Sequence, residues 1–262
     1  MVMPDSMTRP GAVRGRDARV ACVRAALRDD RLRLAAQPIV DVRSGETVAE
    51  ELLLRFARRD GRLELPGPFI RAAEAYPLAV DLDAWVLERA VRLAAMGRVV
   101  HVNLSARAVA DCSFADRVEA ALHEAGANPS HITFEITETA PLLNLADARI
   151  TAGRITDLGA GLALDDYGTG YGSLSYLRHL PVSMLKIDRE FVAHITTCER
   201  SRAIVASIVD LASRLGLTTV AEGVEDASTL ASLRTCGVDL AQGFHISLPI
   251  TYDLDCCRAG TG

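Results

Sequence analysis

Lysine is nearly absent from this sequence of 262 residues, because Lys186 is the only lysine and arginine supplies the rest of the 29 basic residues. Two other polar residue types are also rare. Glutamine occurs only at Gln37 and Gln242, and asparagine only at Asn103, Asn128 and Asn144. Since the composition otherwise avoids these three residue types, each occurrence is a candidate for a specific role.

Long apolar runs are missing as well. No stretch approaches the roughly 18 apolar residues that a membrane-spanning helix needs, so no membrane partner is expected. Residues 1–19 lack the apolar core of a secretory signal, which predicts a cytoplasmic protein. The six cysteines include no Cys-x-x-Cys pair, which favours reduced thiols over a disulfide framework or a zinc site.

The sequence also has no excess of positive charge. The formal net charge is -5, which argues against binding to a nucleic-acid polymer. A hydrophobic content of 49% with 24% charged residues excludes a disordered chain. The length suits one large α/β domain. We expect a flexible lead at residues 1–16, one barrel domain at 17–255 and a tail at 256–262.

Strand-like and helix-like segments alternate along the chain. A helical pattern over 16–30 precedes two strand-like runs, Leu32–Val42 and Glu46–Phe56, that a short hairpin connection joins. Six further strands are predicted at Val99–Asn103, Ile132–Ile136, Gly161–Asp165, Met184–Ile187, Thr218–Ala221 and Val238–Ala241. Helices are predicted near 68–76, 81–96, 113–125, 145–157, 190–215 and 226–235.

This alternation predicts an α/β fold, namely a (β/α)8 TIM-type barrel. The opening hairpin requires one reversed, antiparallel strand near the N-terminus. An open doubly wound sheet is the competing architecture. The sequence has neither a Gly-x-Gly-x-x-Gly turn after the first strand nor a phosphate-binding P-loop, which counts against it.

Each of the last six predicted strands carries a polar group at or just beyond its C-terminal end, and the second strand carries Glu51. In a barrel these side chains converge on one mouth. The converging residues are Glu51, Asn103, Glu135, Asp165, Asp166, Lys186, Asp188, Glu222 and Gln242. Any one of the acids is more often a helix cap than a ligand, but chance caps do not explain six successive strands.

Carboxylates crowded at one mouth repel each other unless cations compensate them, and a single lysine does not suffice. Oxygen ligands favour Mg²⁺ or Mn²⁺. The doublet Asp165–Asp166 suits the bridging of two ions, which is the usual arrangement for cleaving a phosphodiester. A metal-assisted lyase that uses Lys186 as its base is the alternative reading of the residues alone.

Taken together, these segments resemble the EAL domain family of cyclic-di-GMP phosphodiesterases, from about Leu32 to Pro249. The matching segments are Gln37–Val40, Glu51–Arg55, Val102–Ser105, Phe134–Glu138, Asp165–Gly170, Leu185–Asp188, Ala221–Glu225 and Gln242–Phe244. The resemblance implies a barrel with a reversed strand and an enzyme that opens cyclic-di-GMP to linear pGpG with two Mg²⁺ or Mn²⁺ ions.

The resemblance also implies roles for individual residues. One metal would be held by Glu51, Asn103, Glu135 and Asp165, and the second by Asp165, Asp166 and Glu222. Lys186 would orient the attacking water near Asp188, with Gln242 supporting the network. Glu138 would anchor the loop after Asp166, which in this family also helps to form a homodimer. The substrate contacts would come from Gln37, Leu53 and Arg55.

The sequence departs from the family in its name-giving motif, and more mildly at Tyr167, where phenylalanine is usual, at Gly172, where serine is usual, and at Leu248, a position that is often basic. The name-giving Glu-Ala-Leu reads Glu51-Leu52-Leu53 here, so that a larger side chain adjoins a predicted metal ligand. An inactive cyclic-di-GMP receptor that signals through a partner is therefore the second hypothesis. Because every predicted metal ligand and the lysine are retained, the enzyme is favoured. A regulatory protein partner is left open.

Overall fold

The computed structural model describes residues 10–58, 62–74, 76–137, 142, 144–168 and 173–252. The strands are β1 (Leu32–Asp41), β2 (Thr47–Ala57), β3 (Leu63–Glu64), β4 (Val100–Leu104), β5 (Ile132–Thr137), β6 (Gly161–Tyr167), β7 (Met184–Ile187), β8 (Thr218–Ala221), β9 (Leu240–Ala241) and β10 (Ile250–Tyr252). The helices are α1 (Pro10–Arg28), α2 (Gly67–Ala73), α3 (Leu78–Ala95), α4 (Ala106–Val109), α5 (Cys112–Ala125), α6 (Leu145–Asp157), α7 (Ser173–His179), α8 (Arg189–Val192), α9 (Glu199–Leu215) and α10 (Ala227–Cys236).

Eight of the strands close into a barrel in the order β1-β9-β8-β7-β6-β5-β4-β2, with β2 pairing back to β1. The neighbours from β2 through β9 are parallel. Strand β1 is antiparallel to both β2 and β9. The predicted barrel with one reversed strand is therefore confirmed, and the reversed strand is the first.

The barrel interior is layered, because side chains alternate between the two faces of a strand. Ile39, Ala49 and Val220 form a small buried apolar cluster. Since β8 pairs with neither β1 nor β2, their contact crosses the barrel interior. Each of the three lies two residues from a predicted site residue: Ile39 from Gln37, Ala49 from Glu51 and Val220 from Glu222. Residues two apart on a strand face the same side, so these polar residues lie in the next layer toward the mouth.

Helices cover the outside of the barrel with apolar stripes. In α3 the buried residues recur at helical spacing, for example Leu78, Leu82 and Val86, and face the strands. Helix α5 is capped at its N-terminus by Asp111, whose side chain accepts a hydrogen bond from the Ser113 N–H, and at its C-terminus by Gly126, whose φ is 62°. The core thus lies between the barrel and its helical layer.

The predicted helix over 190–215 divides into α8 and α9. Helix α8 begins at its cap Asp188 and stops after one turn, and β-branched Thr196 and Thr197 lie in the segment between the two helices. The Arg202 guanidinium donates to the Ile195 and Thr196 carbonyls, both at 3.3 Å, so the turn keeps its hydrogen bonds.

Several short elements were not predicted, namely β3, β10, α4 and α7. Helix α1 begins at Pro10, six residues before the expected start. None of the helices in the described part of the chain has the length and apolar content to cross a bilayer.

Candidate active site

The predicted site residues come together at the carboxyl-terminal mouth of the barrel. Strand register causes this: Asn103 pairs with Glu135 across β4 and β5, and Thr137 pairs with Asp165 across β5 and β6. Glu51 lies beside His101 in the β2–β4 pair. Parallel neighbours in register carry their polar groups to one level of the barrel.

Lys186 occupies the centre of this mouth and is fully buried. Its Nζ lies 2.6 Å from Glu135 Oε2, 2.5 Å from Glu222 Oε1, 3.2 Å from Asp165 Oδ1 and 3.4 Å from Glu51 Oε2. One ammonium group therefore faces four carboxylates that come from different strands. The cluster carries an excess of negative charge that the described side chains do not neutralise.

Amide side chains hold the Glu51 carboxylate from both sides. Asn103 Nδ2 donates to Glu51 Oε1 at 2.9 Å, and Gln242 Nε2 donates to Glu51 Oε2 at 2.8 Å. Gln242 Nε2 also reaches Gln37 Oε1 at 2.9 Å. Gln37 and Gln242 are buried, so this hydrogen-bond network fixes the orientation of the Glu51 carboxylate.

Among the described residues, Gln242 Oε1 is buried without a hydrogen-bond partner, and the buried Asp165 Oδ1 makes no hydrogen bond besides its 3.2 Å ion pair with Lys186 Nζ. Buried polar atoms are almost always paired, so these two oxygen atoms beside excess carboxylates fit a binding site for a cation. Ligand oxygens of Asp165, Asp166 and Glu222 lie within 4.8 Å of one another. The all-oxygen donor set fits a hard divalent cation.

The pKa shifts agree with an excess of negative charge at this mouth. Burial, the Asp165 charge and the neighbouring Asp188 raise the pKa of Asp166 to about 7. Burial likewise raises the pKa of Glu135 and of Glu222 well above the ordinary value. Burial lowers the pKa of Lys186, but the surrounding carboxylates outweigh it and hold that pKa well above the ordinary value.

Glu51 is the exception among these acids. Burial raises its pKa, but the Lys186 ammonium and the hydrogen bonds from Gln242 and Asn103 outweigh that effect, so its pKa lies below the ordinary value. Glu51 is therefore ionised at neutral pH and ready to act as a ligand.

Two backbone features shape the loops that follow strands β6 and β9. Asp166 adopts the left-handed region with a φ of 54°, which is uncommon for a residue other than glycine and typical of functional positions. Gly243 approaches Val224 so closely that a Cβ at position 243 would lie 2.2 Å from the Val224 N and O. Only glycine fits there, and the contact places Gln242 against Glu51.

Asp188 lies at the rim rather than in the centre. Its Oδ1 accepts a hydrogen bond from the Glu190 N–H at 2.6 Å and caps helix α8. The same carboxyl group faces Asp166 and contributes to the raised pKa of that residue. Asp188 is thus both a helix cap and a neighbour of the acidic doublet.

The mouth opens into a cleft of about 840 Å³, which is lined by Gln37, Leu53 and the acids Glu51, Asp165, Asp166 and Glu222. Phe244 lies on the wall of this cleft with 63% of its surface exposed. A second, smaller pocket of about 270 Å³ shares Leu53 with the cleft and is lined by Arg55, Asn103 and Asp83. Arg55 therefore borders the smaller pocket rather than the main cleft.

Sequence reasoning missed two polar residues here, His101, which is buried, and Asp83, which is half-buried. His101 Nδ1 lies 2.8 Å from Glu135 Oε1, although no histidine was assigned to the site. Asp83 Oδ2 accepts a hydrogen bond from Ser105 Oγ at 2.5 Å, and burial raises the pKa of Asp83 to about 7. Neither residue lies in a motif whose spacing indicates a site. The predicted residue Glu138 lies outside the described residues.

Comparison with known proteins identifies close relatives. Cyclic di-GMP phosphodiesterase NbdA of Pseudomonas aeruginosa is 40% identical over 235 residues, which cover 87% of this chain and 30% of NbdA. The bifunctional diguanylate cyclase/cyclic di-GMP phosphodiesterase MucR of the same organism is 36% identical over 235 residues, which cover 87% of this chain and 34% of MucR. The chain thus spans about a third of the length of these curated relatives.

Solved structures show the same fold. The PaMucR phosphodiesterase in complex with c-di-GMP superposes with a TM-score of 0.82 at 34% identity, covering 89% of this chain and 97% of that chain. The FimX EAL domain from Pseudomonas aeruginosa bound to c-di-GMP gives a TM-score of 0.82 at 26% identity, covering 88% and 96%. The EAL domain family model matches residues 21–249, and the chain belongs to the EAL domain family.

Proposed function

We propose that this chain hydrolyses cyclic-di-GMP to linear pGpG in a reaction that requires divalent cations. The observation that carries the proposal is the cluster around Lys186, in which four carboxylates face one ammonium group at the mouth of a barrel. The similarity to NbdA and to the PaMucR phosphodiesterase supports the choice of substrate.

The two proposed cation sites share Asp165. The first would use Glu51, Asn103, Glu135 and Asp165, and the second Asp165, Asp166 and Glu222. Asp165 Oδ1 is buried and ion-paired with Lys186 Nζ, and as a carboxylate oxygen it keeps acceptor capacity for a cation. Because the Asn103 Nδ2 donates to Glu51, its Oδ1 remains available as a ligand. Mg²⁺ and Mn²⁺ are the ions that this donor set favours.

Two bound cations would supply the polarisation of the phosphodiester and the activation of the attacking water. The protein residues do the rest. Lys186 contacts and orients that water, since it is a compact point charge at the centre of the site. Gln242 holds the Glu51 carboxylate in place. Asp188 faces Asp166 from the rim, and the supporting role of Glu138 stays a prediction from the sequence.

The substrate contacts follow from the shape of the two cavities. Gln37 and Leu53 line the cleft beside the acids, and the exposed ring of Phe244 offers a surface on which a base can stack. Arg55 in the smaller pocket suits a phosphate oxygen. In the same pocket, the Asp83 carboxylate can accept hydrogen bonds from the two adjacent N–H groups of a guanine edge.

An inactive cyclic-di-GMP receptor is the second candidate. Leu52 in place of the family's alanine favours it, because this residue adjoins Glu51. Leu52 is buried in the main apolar core, however, while alternation along β2 places Glu51 and Leu53 on the opposite face. All the proposed ligands are also present. The cytoplasmic location, the homodimer and a regulatory partner remain proposals from the family resemblance.

The test is an assay of the purified chain with cyclic-di-GMP and either Mg²⁺ or Mn²⁺, with pGpG separated by chromatography. We expect product that grows with time and disappears when the cations are chelated. Binding of cyclic-di-GMP without product in either metal would favour the receptor. If the chain neither binds cyclic-di-GMP nor forms product, both proposed functions are wrong.

A further inference from the structure

His101 is the only one of the six histidines that is buried, with 2% of its surface exposed. It lies on β4, two residues before Asn103, and therefore on the same face of the strand. Its Nδ1 is 2.8 Å from Glu135 Oε1. A polar ring at this depth needs a partner, and its partner is one of the proposed metal ligands.

The Glu135 carboxylate is fully buried and held at both of its oxygens. Oε2 contacts the Lys186 Nζ at 2.6 Å, and Oε1 contacts His101. A carboxylate that is held at one oxygen can still rotate, whereas two contacts on different oxygens set the plane of the group. Among the described residues, His101 therefore holds the carboxylate oxygen of Glu135 that Lys186 does not contact.

The direction of this hydrogen bond follows from the chemistry of a ligand. A carboxylate that binds a cation is ionised and can only accept hydrogen bonds. The hydrogen must then be on His101 Nδ1, and the imidazole must be the donor. A donor on one oxygen leaves the other oxygen oriented toward the centre of the site.

We propose that His101 is a positioning residue that fixes the Glu135 carboxylate for cation binding by donating from Nδ1 to Oε1. The inference rests on the proposed function, since it assumes that Glu135 is a cation ligand. Partners of this kind around metal ligands change metal affinity by about 10–100-fold when they are removed. A structural histidine would change the stability of the fold and leave cation affinity unaltered.

Two substitutions separate these roles. H101L removes the donor while keeping an apolar side chain of comparable bulk. H101N keeps a donor, because the asparagine amide nitrogen can take the place of Nδ1. The measurement is isothermal titration of Mn²⁺ into each purified chain without substrate. Thermal unfolding of the same metal-free samples reports on the fold.

We expect H101L to weaken Mn²⁺ binding by about 10–100-fold and H101N to restore it to within about threefold of the unsubstituted chain. Equal Mn²⁺ affinity in all three chains would overturn the role of His101, and so would an equal loss in both variants. If H101L does not fold, H101Q replaces it, because its longer side chain presents its donor at the Nε2 position instead.

A failure of the proposed metal-dependent function would give a different result from a failure of the His101 role alone. If the unsubstituted chain binds no Mn²⁺ in the titration, both proposals fall together. If it binds Mn²⁺ and hydrolyses cyclic-di-GMP while H101L binds Mn²⁺ equally well, only the role of His101 falls.

Discussion

Glu50 and Glu51 are neighbours in strand β2 and have opposite environments. Glu50 pairs with one cation, since Arg98 Nε donates to its Oε2 at 2.9 Å, and the Tyr252 hydroxyl donates to the same oxygen at 3.1 Å. The Arg98 guanidinium lies over the Tyr252 ring at 4.6 Å. Glu51 instead shares one lysine with three other acids.

The contrast teaches how to tell a structural acid from a functional one. Around Glu50 the charges balance, the donors are matched and the group ties β10 to the barrel. Around Glu51 negative charge is in excess, and two nearby buried oxygen atoms have no hydrogen-bond partner among the described residues. A fold tolerates such an imbalance where a ligand compensates it, which is why we place the proposed active site at the unbalanced cluster.

Replacing each glutamate by alanine gives the largest expected difference. E51A removes a proposed cation ligand and should lower turnover of cyclic-di-GMP by at least about 10³-fold, which corresponds to about 4 kcal/mol of transition-state stabilisation. E50A breaks a partly exposed ion pair and should cost about 1 kcal/mol of stability, with turnover within about threefold. Initial rates at saturating Mn²⁺ measure both.

Asp165 offers a second test of the same expectation. D165A should be as inactive as E51A, because it removes the carboxylate that both proposed cation sites share. Wild-type rates in either variant would show that the ligand assignment is wrong. A large loss of turnover in E50A would remove the distinction between the two glutamates.

Exchanging lysine and arginine sharpens the comparison. K186R places a larger planar group at a fully buried centre where a compact charge fits, and should reduce turnover by at least about 30-fold. The matched exchange R98K at the Glu50 pair should leave turnover within about twofold. Steady-state kinetics decide the matter, and near-normal turnover of K186R would make the lone lysine a coincidence of composition.

Leu52 tests whether the face of the strand matters more than proximity in sequence. L52A removes a side chain from the core and should lower the free energy of unfolding by about 2–5 kcal/mol. Mn²⁺ affinity should stay within about threefold, because Leu52 lies on the face opposite Glu51. Denaturant unfolding and Mn²⁺ titration measure the two quantities, and weaker Mn²⁺ binding would place Leu52 in the site.

Asp83 is a third kind of acid, a half-buried one whose described hydrogen bonds come from the hydroxyl and the backbone N–H of Ser105. Its pKa of about 7 in the folded chain lies above the unfolded value of 3.8, so its contribution to stability is full below pH 3.8 and is lost as the pH rises through 7. D83N should reduce the loss of unfolding free energy between pH 5 and 8 by about 1–2 kcal/mol. Unfolding curves at both values check this, and parallel pH profiles would contradict it.

The sequence was sufficient for the barrel and for the acids because both depend on a repeated local pattern. Each strand is a short apolar run, and each ends in a polar group. A parallel barrel necessarily brings such ends together, as it does for Asn103, Glu135 and Lys186. The reversed strand followed from the short hairpin between β1 and β2.

The remaining features depend on contacts between distant residues. His101 and Asp83 gain their surroundings only when β4 packs beside β5 and α3 packs beside β4. Nothing next to them in the sequence indicates a site. The division into α8 and α9 depends on the Arg202 hydrogen bonds to the intervening turn, which the helical periodicity of 190–215 does not reveal.

The Gly243–Val224 contact has a consequence for the entropy of binding. The Val224 N–H donates to the Gln242 carbonyl at 3.0 Å, and the His245 N–H donates to the Val224 carbonyl at 2.9 Å. The loops after β8 and β9 are thereby joined into one rigid wall that carries Phe244. A ligand that meets this wall finds it already ordered, so little conformational freedom is lost on that side of the cleft and more of the contact energy remains as affinity.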